Sequence, residues 1–183
     1  MPKPYLLVVT GRPGAGKTTF ANKFGTDICM PVISRDKIKE GYLHTLGKRH
    51  SELPPEVNMH VTQIFFDILM GLVDNNISVI AEAAFQHKIW SSMLERFMER
   101  AKIYLLICKV DNQTALERFL KRGFDNESRE YFHGDMEVDM ARKGLELSVG
   151  CYDEPCLDVP TFNIDTYRDY IPSIEELRTA IFI

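Results

Sequence analysis

The chain reads as an α/β protein, a mostly parallel sheet with helices on both faces. Two observations predict this class. Short apolar runs rich in β-branched residues alternate with segments of helical period along all 183 residues. Such alternation calls for crossover connections that lay helices on both sides of a parallel sheet. The first strand also passes into a helix through a glycine-rich turn, "GRPGAGKT", residues 11–18. No internal repeat, low-complexity segment or long linker divides the chain, so one domain over residues 1–183 is expected.

Residues 5–10 are the first strand and 17–24 the first helix. Residues 30–34 ("MPVIS") form a second short strand, and 36–46 continue as a helix. Pro54 and Pro55 open a long helix, because proline is tolerated in a first turn. Val57, Val61, Ile64, Phe65, Ile68, Leu69 and Leu72 give that helix its apolar period. Residues 77–81 are the third strand, 89–100 an amphipathic helix, and 102–110 ("KIYLLICKV") a fourth, almost wholly apolar and central strand. Asp111 begins the next helix, with Asn112 and Thr114 as competing caps, and Gly123 ends it. Residues 124–134 read as a polar loop or lid, and 135–149 as a helix weakened by Gly144. Residues 161–165 ("TFNID") are the fifth strand. The closing helix, 172–183, has Ser173 as cap and Glu176 at capping-box spacing.

Hydrophobic residues make up 45% and charged residues 26%, the balance of a globular domain. A net charge of −4 argues against a protein that coats nucleic acid, which needs a basic field, but leaves room for a small basic pocket. The cysteines Cys29, Cys108, Cys151 and Cys156 form no Cys-x-x-Cys pair, and no two histidines stand at zinc spacing, so no structural metal site is expected. Cys108 reads as a small buried hydrophobe, while Cys151 and Cys156 flank a turn and could approach each other. The first apolar run is too short for a signal peptide, and no run reaches the roughly 18 residues of a membrane span. A cytoplasmic protein with no membrane partner is expected.

Gly11, Arg12, Pro13, Gly14, Ala15, Gly16, Lys17 and Thr18 match G-x-x-x-x-G-K-[ST] in full. Glycines let the backbone adopt positive φ and come close to an anion. Successive N–H groups then point at phosphate oxygens, and the helix starting near Lys17 adds its unpaired N–H groups and positive dipole end. Lys17 is placed to reach the β- and γ-phosphates, Thr18 to coordinate Mg²⁺, and Thr19 to meet the α-phosphate side. The pattern follows an expected strand and opens an expected helix, so a nucleoside triphosphate is the expected partner.

The rest of the chain narrows the reaction. The apolar strand "ISVIAE" ends in Glu82 with no preceding Asp, a poor match to the carboxylates of motor ATPases, and there is no guanine-reading Asn-Lys-x-Asp. A small phosphotransferase remains, which needs an acceptor site, a base and a cationic lid. In "VISRDKIKE", Asp36 follows a strand end, where ligands gather in open parallel sheets. It is placed either to take a proton from an acceptor hydroxyl or simply to complement the dipole of the next helix. Glu82 is either near Mg²⁺, gripping an acceptor hydroxyl, or a solvated strand-end carboxylate. Arg118 and Arg122 share a helix face, and Arg129 lies in the following polar segment; Arg122 and Arg129 read as a cationic lid or a solvated basic face, and Arg118 as packing its stem along the helix or pairing with a neighbouring acid. His133 beside Gly134 reads as a hinge or hydrogen-bonding residue.

On "GRPGAGKTT", "VISRDKIKE", "VIAEAAF", "ALERFLKRG" and "FNIDT", the chain resembles the small P-loop kinases that phosphorylate hydroxyl groups. That group includes polynucleotide 5′-kinase domains, chloramphenicol phosphotransferase, zeta-toxin kinases and AAA-type kinases. The resemblance implies a three-layer P-loop kinase fold, five parallel strands in the order 2-3-1-4-5 and a small lid at about 122–134. It implies ATP and Mg²⁺ as cofactors and transfer of the γ-phosphate to a hydroxyl of a small-molecule acceptor. The family's base falls on Asp36, its acceptor-holding basic residue on Lys39, its acidic substrate-contacting position on Glu82, and its lid arginines on Arg122 and Arg129. Lysine at 39 cannot make the paired bonds to phosphate that arginine makes, which weighs against a nucleic-acid 5′ end as acceptor. A polynucleotide kinase and a non-catalytic ATP-binding regulator are the alternatives.

Overall fold

A computed structural model describes residues 2–126, 128–145, 147 and 151–183. Five strands form one sheet: β1 (Tyr5–Thr10), β2 (Val32–Ser34), β3 (Val79–Glu82), β4 (Lys102–Lys109) and β5 (Thr161–Asp165). All four pairings are parallel, and the spatial order is β2-β3-β1-β4-β5, as expected. Because strand side chains alternate, each strand feeds two cores. Leu6, Val8, Val79, Ala81, Ile103 and Leu105 face one layer; Leu7, Val9, Ile80, Leu106 and Cys108 face the other.

The first layer holds α3 (Glu56–Asp74) and α4 (His87–Leu94). The buried residues of α3 are Val61, Phe65, Phe66, Leu69 and Val73. This stripe is rotated slightly from the expected one: Ile68 is exposed and Ile64 and Leu72 are only half-buried. Phe66 stacks with Phe85, and Trp90 packs edge-on against both Phe65 and Phe66, so Trp90 belongs to the core. The second layer holds α1 (Lys17–Asp27) and α8 (Ile174–Phe182), through Phe20, Ala21, Phe24, Leu177 and Ile181. The expected capping box closes α8: Ser173 Oγ accepts from the Glu176 N–H, and the Glu176 carboxylate accepts from the Ser173 N–H.

Four further helices complete the chain: α2 (Arg35–Leu46), α5 (Asn112–Asp125), α6 (Ser128–His133) and α7 (Met136–Arg142). Several expectations are corrected here. The cap of α5 is Asp111 itself, whose carboxylate accepts the Thr114 N–H at 2.9 Å. Gly123 does not end α5 but lies buried within it, where a Cβ would run into Val138 of α7. The lid contains a helix, α6, rather than an irregular loop. The helix expected over 135–149 spans only Met136–Arg142; residues 146, 148 and 149 lie outside the described residues. The amphipathic segment after β3 is α4 followed by a 3₁₀ turn at Glu95–Phe97. Cys151 and Cys156 are free thiols. Among the described residues, no helix is long and apolar enough to cross a membrane.

Candidate active site

The turn between β1 and α1 carries positive φ at Gly11 (141°), Gly14 (81°) and Gly16 (79°). At Gly14 the requirement is twofold. The backbone is in the left-handed region, and a Cβ would collide with the carbonyl oxygen of Ala115 in α5. Within the loop, the Ala15 N–H donates to the Arg12 carbonyl at 3.1 Å; Ala15 is buried and Pro13 is exposed at the tip. Gly16 caps α1, so the free N–H groups of its first turn open into the loop. Lys17 is 8% exposed, and its ammonium donates to the Arg12 carbonyl at 3.0 Å. Burial pushes its pKa below the ordinary lysine value, against the pull of Glu82 and Asp36, with Arg122 adding to the fall. Thr18 and Thr19 follow on the exposed start of α1.

Register brings the next groups in. Val9 of β1 and Ser34 of β2 both pair with Glu82 of β3, so three strand ends lie level. Glu82 continues the face of Ile80, toward α1. It is 4% exposed. One carboxylate oxygen accepts from Thr18 Oγ1 at 3.2 Å and the other from Ser34 Oγ at 2.6 Å. This donor set fits Mg²⁺: hydroxyl and carboxylate oxygens with no soft ligand, and a buried carboxylate whose partners are two hydroxyls. Among the described residues there is no cluster of three His, Cys, Asp or Glu that would make an all-protein cage. Thr18, with Glu82 beside it, would hold Mg²⁺.

The first turn of α2 supplies the opposite wall. Asp36 is half in solvent and lies 3.8 Å from Arg35 NH1. Arg35 is anchored by two bonds from NH2 to the carbonyl and side-chain oxygens of Asn58 on α3, at 3.1 and 3.2 Å. Its buried Nε has no partner among the described residues. One turn on, Lys39 is 4% exposed. Burial, reinforced by the Arg35 and Arg129 charges and opposed by Asp36 and Asp135, brings its pKa from 10.5 to about 8.

The lid arginines separate by role. Arg122 reaches over Phe119, 5.7 Å from the ring centre. Burial and then the Arg129 charge hold its guanidinium below the ordinary value, with Asp135, Asp36 and Glu82 opposing. Arg129 is clamped, its Nε and NH2 both 2.9 Å from one oxygen of Asp135, and both side chains are 14% exposed. Among the described residues Arg118 pairs with no acid. It donates to the carbonyls of Thr166 and Tyr167 at 3.0 and 2.6 Å, bolting α5 to the end of β5. Thr166 in turn donates to the Ala15 carbonyl at 2.8 Å. His133 pairs with Glu40 of α2 at 3.0 Å and so ties the lid to the acceptor-side helix.

Three residues escaped the sequence reading. Tyr152 places its hydroxyl where it accepts the Gly11 N–H at 3.1 Å, meets Thr10 Oγ1 at 2.9 Å and donates to the Phe85 carbonyl at 3.0 Å. Asp135 clamps Arg129, and Ser34 binds Glu82. No local pattern marks Tyr152, which lies 141 residues from Gly11. Ser34 had a signal, a serine at a strand-to-helix junction, but that signal points to capping. A cavity of about 400 Å³ borders the cradle, walled by Pro13, Ala84, Gln86, Phe119 and Asp135. A larger one, about 1170 Å³, lies between His44, Arg49 and the lid and touches no residue of the cradle.

A family model described as an AAA domain matches residues 6–142. The chain belongs to this AAA domain family. The AAA domain match runs from β1 through α7 and so takes in the cradle, Glu82, Asp36 and both lid arginines. The fold is that of P-loop kinases. It is similar to a proposed kinase from Chloroflexus aurantiacus, at 20% identity and TM-score 0.79 over 99% of this chain and 97% of that one. An APS kinase from Mycobacterium tuberculosis, in complex with AMPPNP and APS, is similar at 15% identity and TM-score 0.60 over 99% and 96% of the two chains. A gluconokinase from Sinorhizobium meliloti is similar at 16% identity and TM-score 0.54 over 96% and 90%. No curated protein matches the sequence.

Proposed function

We propose that this AAA domain protein is a single-domain, cytoplasmic phosphotransferase that moves the γ-phosphate of ATP to a hydroxyl of a small molecule. The observation that carries the reading is the complete phosphate cradle between β1 and α1, with positive φ at Gly11, Gly14 and Gly16, Lys17 buried in it and Glu82 accepting from Thr18 Oγ1 at 3.2 Å.

Lys17 and the loop N–H groups hold the triphosphate; Thr18, with Glu82 beside it, would hold Mg²⁺, which would supply positive charge against the phosphates. Reaching the phosphates requires Lys17 to leave the Arg12 carbonyl. Asp36 orients the acceptor hydroxyl and takes its proton as the oxygen bonds to phosphorus. Lys39 holds the acceptor from the next turn of α2. Arg122 meets the charge that spreads over the transferring phosphoryl group, and Arg129, held by Asp135, supports that field while the lid excludes water. A cavity of about 400 Å³ beside the cradle suits a small acceptor. The carboxylates of Asp135 and Glu137 in its wall and the net charge of −4 do not favour a long polyanion. The cytoplasmic placement is supported by the free thiols.

The test is a transfer screen with γ-labelled ATP over sugars, nucleosides, amino alcohols, antibiotics and a short 5′-hydroxyl RNA. Lys17→Ala and Asp36→Asn serve as controls. Label should appear on a small alcohol, vanish with Lys17→Ala and fall steeply with Asp36→Asn while that variant still binds ATP. Label on the RNA alone would overturn the small-molecule assignment. Tight ATP binding with no transfer to any acceptor would overturn the enzyme.

A further inference from the structure

Ser34 occupies the N-cap of α2 with extended backbone angles (φ −104°, ψ 126°), where a serine hydroxyl ordinarily accepts an N–H from the first helical turn. It makes no such bond. Its hydroxyl instead donates to Glu82 at 2.6 Å, shorter than the 3.2 Å bond from Thr18 to the other oxygen of the same carboxylate. The register explains why this is possible. Ser34 and Glu82 are paired residues on adjacent parallel strands, so their side chains leave the sheet on the same side. The hydroxyl is thus spent on a charged acceptor that is 4% exposed rather than on the helix cap.

The geometry has a directional consequence. A carboxylate at a strand end has two freely exchanging oxygens unless one is fixed. With Ser34 holding one, the other is presented to Thr18. Ser34 is also the residue immediately before α2, which carries Asp36 and Lys39. One hydroxyl thus joins the phosphate side of the site to the acceptor side.

We infer that Ser34 is a positioning residue that orients Glu82 for the magnesium–nucleotide complex through its hydroxyl. The inference rests on the phosphotransferase reading, but only on its nucleotide half, so it can be tested with no acceptor present. Calorimetric titration of the full chain with ATP, in EDTA and across a Mg²⁺ series, separates the two contributions. Ser34→Ala should bind metal-free ATP as the parent does, within twofold, and need severalfold more Mg²⁺ to reach tight binding. Ser34→Thr, which keeps the hydroxyl, should restore the parental Mg²⁺ dependence. The thermal midpoint without metal checks that Ser34→Ala is folded. A folded Ser34→Ala with parental Mg²⁺ dependence would overturn the positioning role and leave the kinase reading standing. So would equal weakening with and without Mg²⁺, which a purely structural serine would give. Failure of the parent to bind ATP at all would overturn both.

Discussion

Replacing Lys39 by methionine is expected to stabilise the folded chain at neutral pH while impairing transfer. Lys39 keeps its proton to about pH 10.5 when unfolded and releases it near 8 when folded. At about 1.4 kcal/mol per pKa unit, that difference corresponds to about 3 kcal/mol of penalty for holding the ammonium charged in the fold. Asp36 beside it is half in solvent, and screening through that opening reduces the figure to about 1–2 kcal/mol. Methionine keeps the aliphatic length without the charge. The sign follows from proton counting. Between pH 8 and 10.5 the unfolded chain binds more protons at this site, so parental stability rises with pH through that window. The variant lacks the rise. Urea unfolding, followed by the fluorescence of Trp90, should show a midpoint about 0.5–1 M higher for Lys39→Met at pH 7. The gap should close by pH 10.5. A variant less stable than the parent at pH 7, or an unchanged gap at both pH values, would refute the reasoning.

The other expectations are more local. Tyr152→Phe strands the Gly11 N–H and should cost about 1–3 kcal/mol, read as a drop of several degrees in thermal midpoint and weaker ATP binding. Gly14→Ala meets both an unfavourable φ of 81° and the Ala115 carbonyl, so calorimetry should find nucleotide binding lost. Arg122→Gln should leave ATP affinity within a few-fold but slow transfer by about 10³ or more, measured in a single turnover with a substrate from the screen.

Much of the frame was legible because it is written locally. The apolar runs of β1 and β4, the glycines of the cradle and the capping box at Ser173 each announce themselves within a few residues, and the strand order followed from the family pattern. What escaped depends on distance. Asp111 caps α5 rather than Asn112 or Thr114: its backbone is extended and its carboxylate accepts the Thr114 N–H, while the other two lie inside the helix. Gly123 looked like a helix stop but makes room for Val138. Arg118 looked like a surface cation, yet two carbonyls 48 and 49 residues away claim it. At the site, the cradle is legible from its glycines and Lys17, and Glu82 from its place at the end of an apolar strand. Tyr152, Asp135 and Ser34 were missed, because each acts through a bond that only the folded chain makes.

The sheet separates two inventories. On one side α1 and its neighbour α8 pack through Phe20, Phe24 and Leu177. On the other, α2 is tied to α3 through Arg35. The Ser34–Glu82–Thr18 chain of bonds stitches the start of α2 to the start of α1 at the strand ends, so a substitution that shifts either helix is transmitted to the other.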